Sequence, residues 1–206
     1  MRLSNWGYRA DFFVYPVLIA ASTSATLWHG SWRSAGQAMT AGVIGIFVWT
    51  ALEYALHRWV LHRVQPFKRL HAMHHAHPGA LIGTPAWLSA PLFLAMWAAL
   101  GRGASPALAG GFVTGMMVGY LAYAALHDAV HHRRARPGTW LFHAKLRHAC
   151  HHRDASHSEY GVSCGLWDAV LHTSSHPSPP SVRHEPPDAD ARERRSWALP
   201  KVTPRR

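Results

Sequence analysis

The chain has 206 residues, 49% hydrophobic and 15% charged, with ten Trp, eighteen His, two Cys and a formal net charge of +11. Apolar content this high with so little charge excludes a disordered chain, and the length suits one domain. Cys150 and Cys164 are too few for a disulfide framework, and the basic residues sit in short segments beside long uncharged runs, which excludes a nucleic-acid-binding protein and matches the way membrane proteins place Lys and Arg.

The uncharged run 12–32 predicts a membrane span near 12–29. Arg2 and Arg9 precede it as they would a signal peptide, but no small-residue cleavage site with a soluble domain behind it follows, so the run is expected to remain as an anchor. A second uncharged run, 34–52, predicts a span near 36–56. The uncharged stretches Pro78–Gly101 and Gly103–His127 predict spans near 83–100 and 107–126. About 20 apolar residues cross roughly 30 Å of hydrocarbon, and four such runs leave too little polar chain to cover them in a soluble bundle. Pro16, Gly42, Gly45, Pro85, Pro91, Gly115 and Gly119 are tolerated in bilayer helices.

Four spans put loops 29–37 and 101–106 on one side with only Arg33 and Arg102, and the other nineteen Lys and Arg on the opposite side with both termini. That asymmetry places the termini and the histidine-rich loops in the cytosol, in the plasma (inner) membrane if the source is bacterial. The expected fold is all-α: an integral-membrane four-span helical bundle with a cytosolic histidine-rich helical cap over residues 1–175. Residues 176–206, with seven prolines and alternating Arg and acidic residues, are expected to form a disordered tail.

Fourteen of the eighteen histidines lie between His57 and His157. They form four clusters: His57 and His62; His71, His74 and His75; His127, His131 and His132; His148, His151 and His152. Residues i, i+3 and i+4 share a helix face, so His71, His74 and His75 can present neutral imidazoles together, as can His148, His151 and His152, and His127 and His131 stack one turn apart. These two triplets with the pairs His57 and His62, and His127 and His131, make ten ligands, more than one ion takes, so two metal ions are expected. His57 and His62, five apart, lie about 140° apart on an ideal helix; they meet only if the helix ends or contains a π-bulge, or else each reaches a different metal. His77, His132, His157, Tyr123 and Asp154 are candidates for residues that touch the ligands rather than the metal. His143, His172, His176 and His184 read as solvated. Acidic residues near the clusters are few (Glu53, Asp128, Asp154, Glu159, Asp168), which disfavours a hydrolytic zinc centre with a carboxylate base. An all-imidazole dinuclear site at the ends of membrane helices fits oxygen activation over a lipid chain.

The segments EYALHRWVLH, LHAMHHAHP, GYLAYAALHDAVHH, LRHACHH and YGVSCGLWDAVLHT resemble the integral-membrane fatty acid hydroxylase/sterol desaturase superfamily over roughly Glu53 to Thr173. The last segment, with its Leu-Trp-Asp and terminal His-Thr, is similar to the end of fatty acid 2-hydroxylase catalytic domains. The resemblance implies metal ligands at His57, His62, His71, His74, His75, His127, His131, His148, His151 and His152. It implies two iron ions, replaceable by zinc in recombinant protein, that use O2 and external electrons to hydroxylate a lipid, with a fatty acyl chain favoured. No N-terminal cytochrome b5 domain precedes the motifs, so a separate carrier and reductase are expected. HDAVHHRR also resembles carotenoid hydroxylases, which keeps sterol or carotenoid hydroxylation or desaturation open. A histidine-rich metal transporter is disfavoured because the spans between Pro78 and Leu126 contain no His or acid. Arg63, Lys68, Arg69, Arg133, Arg134, Arg136, Lys145 and Arg147 read either as topology signals and anionic-lipid contacts or as a docking face for an acidic electron carrier.

Overall fold

The computed structural model describes residues 3–28, 30–154 and 158–175; His157 and the expected tail, 176–206, lie outside the described residues. The elements run in the order α1 (Asn5–Arg9), α2 (Asp11–Leu27), α3 (Trp32–Ala55), a π-helical turn (Leu56–Leu61), α4 (Phe67–Ala76), α5 (Ala86–Leu100), α6 (Pro106–His132), α7 (Trp140–Arg153) and α8 (Leu166–Val170). Side-chain caps set four helix starts. Ser4, Ser31, Ser105 and Thr139 accept from the backbone N–H of Gly7, Ser34, Leu108 and Phe142, and Pro106 follows Ser105 at the first helical position.

Among the described residues three helical stretches are long and apolar enough to cross a membrane: Asn5–Leu27, Trp32–Leu61 and Pro106–His132, of 23, 30 and 27 residues. The third expected span, 83–100, is instead the 15-residue α5. Its rise of about 22 Å falls short of the roughly 30 Å hydrocarbon layer. The run before it is uncharged but not helical, because Pro78, Gly79, Gly83 and Pro85 interrupt it, and Leu81 O accepts from Leu3 N at 2.9 Å instead of continuing a helix.

The seam between α3 and α6 is where backbone meets backbone. A Cβ added at Gly115 would overlap the Gly42 carbonyl, one at Gly111 the Ala38 carbonyl, and one at Gly45 the Phe112 carbonyl. Gly119 is held against the Trp49 ring, at 2.7 Å from where its own Cβ would stand. Small residues at four-residue spacing allow this approach, which supplies the close dispersion contacts that join helices where apolar surroundings weaken the hydrophobic drive. Helix α2 packs on the adjoining face of α6, one residue round from the seam, through Ser22 Oγ and Thr114 Oγ1, 2.8 Å apart, and through Thr26 over Gly110. Tyr15, Trp49, Phe93 and Tyr120 fill the centre, with Tyr15–Tyr120 centroids at 4.5 Å and Trp49–Tyr120 at 5.3 Å. Outward, Trp6, Phe13, Val17, Val43, Phe47 and Leu92 are exposed, an apolar coat that suits lipid rather than water.

Candidate metal centre

The chain passes from α3 into the π-turn without leaving the helix axis. Hydrogen bonding to the fifth residue lengthens the turn, so residues five apart stack where an α-helix would turn them away. His57 and His62 thereby come to 5.2 Å between ring centroids, tilted by 32°. The conflict visible in their spacing is settled by local backbone geometry.

Two groups of imidazoles result. His57, His62, His71, His75 and His151 form one, and His74, His131, His148 and His152 the other; within each, one ring nitrogen per residue lies within 4.8 Å of all the others. The triplets on α4 and α7 are therefore split rather than shared whole. Residue i+3 falls about 60° to one side of residue i and i+4 about 40° to the other. So His71 and His75 face one group while His74 faces its neighbour, and His151 is divided from His148 and His152 in the same way. His127 adjoins the second group, with centroids 4.8, 4.7 and 5.0 Å from His74, His131 and His148. The two groups touch where His75 stacks on His152 at 4.2 Å.

Within the groups, Nε2 atoms point at one another: His57 to His71 at 3.0 Å, His62 to His151 at 3.1 Å, His131 to His148 at 2.8 Å and His148 to His152 at 3.0 Å. His57 Nδ1 lies 2.6 Å from Tyr160 O and His151 Nδ1 lies 2.8 Å from Ser158 O. A carbonyl only accepts, so both Nδ1 atoms carry the proton and both Nε2 atoms are lone pairs. Burial, then neighbouring imidazoles, lowers the affinity of these rings for protons: His62 is held at about 4 and His74 at about 3, with His71, His148 and His152 also well below the ordinary value. Burial likewise holds His151 at about 3 against the opposing pull of Ser158 O. Converging, unprotonated nitrogens repel unless a cation sits among them, and ligands across an ion bound at about 2.1 Å stand about 4.2 Å apart. His74 also keeps both ring nitrogens buried without a hydrogen-bond partner among the described residues. The donor set fits a borderline transition metal in each group.

The loop after α7 holds the imidazoles in place. Asp168, fully buried, accepts from Tyr160 N (2.8 Å), Gly161 N (2.8 Å) and Thr173 Oγ1 (2.7 Å). Glu53, one turn before His57, accepts from Val162 N and Ser163 N at 2.8 Å and from Ser163 Oγ. Arg58 donates to Tyr54 Oη, which donates to Thr173, which donates to Asp168, and the guanidinium lies 5.7 Å over the Tyr160 ring. Tyr160 O is thus clamped from both sides where His57 needs it. Sequence reasoning noted Glu53 and Asp168 only as nearby acids and gave Tyr160, Ser158, Tyr54 and Thr173 no role. The only signal was the YGVSCGLWDAVLHT segment, whose composition offers no metal reason of its own.

Of the candidate neighbours, Tyr123 stacks on His127 at 5.7 Å and 21°, and Asp154, closing α7, raises the proton affinity of His151 through its charge. His77 and His132 are exposed; His132 lies 6.2 Å from the His131 ring and 6.1 Å from Tyr8. A cavity of about 340 Å3 has His71, His74 and His127 on one wall and Leu61, Phe67, Leu70, Ile82 and Leu88 among its apolar residues. A second, of about 290 Å3, reaches His131, His148 and His152 beside Lys145.

A solved structure, full-length scs7p with only its hydroxylase domain visible, superposes with a TM-score of 0.69 over 87% of this chain and 69% of that one, at 23% identity, and so shares the fold. The dihydroceramide fatty acyl 2-hydroxylase FAH2 of Arabidopsis thaliana is 33% identical over 63% of this chain and 58% of its own length. The fatty acid 2-hydroxylase of Mus musculus is 30% identical over 64% of this chain and 38% of its own length. The chain thus matches less than two thirds of the length of these relatives. The family model for fatty acid hydroxylases matches residues 42–173, a stretch that begins in α3 and takes in both histidine groups and the Asp168 clamp. By that match, which covers more than half of its length, the chain belongs to the fatty acid hydroxylase family.

Proposed function

We propose that this chain is a membrane-embedded dinuclear oxygenase that hydroxylates a fatty acyl chain of a lipid, at the carbon next to the carbonyl as the names of its relatives state for them. The observation that carries the reading is the juxtaposition of two converging imidazole groups with an apolar cavity that opens onto both of them. Two iron ions bound there would supply O2 activation, with electrons delivered by a separate carrier and reductase. His57, His62, His71, His75 and His151 would hold one ion, and His74, His131, His148, His152 and, after a small movement, His127 the other. Tyr160 O and Ser158 O keep two of the rings in the tautomer that binds metal. The apolar wall keeps water from the acyl chain.

The proposed balance is one C–H bond, O2, two electrons and two protons giving a C–OH bond and water. Purified, iron-loaded protein supplied with reductant, a carrier and isotopically labelled O2 is expected to yield lipid heavier by one labelled oxygen. Product lighter by two hydrogens, or no labelled product, would overturn the reading.

The proposed topology keeps both termini and the metal centre cytosolic. His74 and His127 lie side by side while α6 begins at Pro106, so the extended segment 78–85 and α5 together must carry the chain from the metal centre to the far end of α6, which supports their pairing with α6 as a crossing although α5 alone is too short to span. Cysteines placed at 33 and 102 are expected to react with an impermeant reagent from outside only. Arg133, Arg134 and Arg136 are exposed in the segment that follows His131, a residue lining the second cavity, and suit an acidic carrier. Reversing all three to Glu is expected to slow carrier-dependent turnover and flatten its salt dependence.

A further inference from the structure

The cavity beside His71, His74 and His127 carries a polar group that the metal site does not use. Asp11, in the first turn of α2, lines it and is 8% exposed. Its Oδ2 accepts a 2.7 Å hydrogen bond from Tyr120 Oη, and Ser89 Oγ stands 3.4 Å from the same hydroxyl. Its Oδ1 is buried with no hydrogen-bond partner among the described residues. A carboxylate oxygen left undonated in an apolar wall is costly, and a ligand that brings a donor removes that cost. Among the described residues lining the cavity there is no Lys or Arg. A ligand carrying its own carboxylate therefore meets a second acidic group in an apolar wall with no Lys or Arg beside it, the proposed metal ions lying further along the cavity. Tyr120 precedes His127 by seven positions on α6, about 10 Å along the helix axis. Asp11 and the metal ligands thus border one space at a separation that a lipid's polar part and the start of its acyl chain can bridge.

We propose that Asp11 is the specificity-determining acceptor of this cavity. It selects a lipid whose polar part offers a neutral donor, an amide N–H or a hydroxyl, over a free fatty acid, and Tyr120 holds the carboxylate in position. The proposal rests on the reading that the cavity admits the lipid to be hydroxylated.

The test is equilibrium binding to zinc-loaded full chain in detergent, by displacement of a fluorescent acyl probe, so that no turnover is needed. Three competitors share one acyl chain: an N-acylated amino alcohol, its N- and O-methylated analogue without donors, and the free fatty acid. The wild-type chain is expected to bind the donor-bearing lipid about tenfold or more tighter than the methylated one, the ratio for a hydrogen bond to a charged acceptor. Asp11→Asn should shrink that ratio and bind the free acid more tightly than the wild type does. Equal wild-type affinity for the donor-bearing and methylated lipids would overturn the proposal without any variant, so a misfolded Asp11→Asn cannot conceal the answer. An unchanged ratio in a folded Asp11→Asn would also overturn it. Selective binding without hydroxylation would sink the proposed activity and leave the role of Asp11 standing, and hydroxylation with no such selectivity would do the reverse.

Discussion

Tyr160 offers its carbonyl to His57 from a position fixed by Asp168 on one flank and Glu53 on the other. Asp168→Asn would set an amide N–H2 against a backbone N–H or the Thr173 hydroxyl, all donors. We predict a loss of metal affinity of about 10- to 100-fold, the range for groups that orient ligands, read as metal content after dialysis against a weak chelator. Glu53→Gln should behave alike, whereas His77→Ala, on an exposed ring, should leave metal content unchanged. The same burial that frees the lone pairs makes the metal-free fold acid-sensitive. His62 at about 4 and His74 and His151 at about 3 lie below the unfolded value of about 6.5. Above pH 6.5 neither state takes up these protons and the contribution is constant; below it the unfolded chain protonates first, so stability falls as the pH drops towards the folded values. A melting temperature of metal-free protein that did not fall between pH 7 and 5 would contradict this.

At the scale of elements, the π-turn and the glycine seam set the positions of everything else. Inserting one alanine after Val60 would leave His62 six positions from His57, a spacing that neither an α- nor a π-turn brings into line, while leaving His74, His131, His148 and His152 untouched. The expected result is protein that still folds and loads metal at one group, measured as a halved metal-to-protein ratio. In the seam, Gly115→Val forces a side chain into the Gly42 backbone and should destabilise by at least about 1–3 kcal/mol, whereas Gly36→Ala, with open space around it, should be neutral or stabilising. Much of this was legible beforehand. Uncharged runs located the helices, and the histidine spacings picked out the clusters and even the awkwardness at His57 and His62. What stayed hidden has physical causes. Composition cannot separate an extended Pro- and Gly-broken segment from a helix, which lengthened α5 on paper. Gly42, Gly45, Gly115 and Gly119 read as merely tolerated because the approach that demands them joins α3 to α6, helices far apart in the chain with α4 and α5 between them. The clamp by Glu53 and Asp168 escaped notice because hydrogen bonds between 53 and 162 leave no local periodicity.

For the whole molecule, the decisive feature is that neither histidine group belongs to one stretch of chain. The first draws on the π-turn, α4 and α7, and the second on α4, α6 and α7, so that His62 meets His151 across 89 positions. During synthesis, then, an ion has nowhere complete to settle until α7 has left the ribosome, by which time every apolar helix is already committed to the bilayer. On the proposed function metallation comes last, and an inserted but empty protein is an obligatory stage rather than a damaged product. Cells starved of iron while making this chain should therefore accumulate a loadable reserve: iron given after translation is stopped should fill it, and a chain ending before Trp140 should never fill at all.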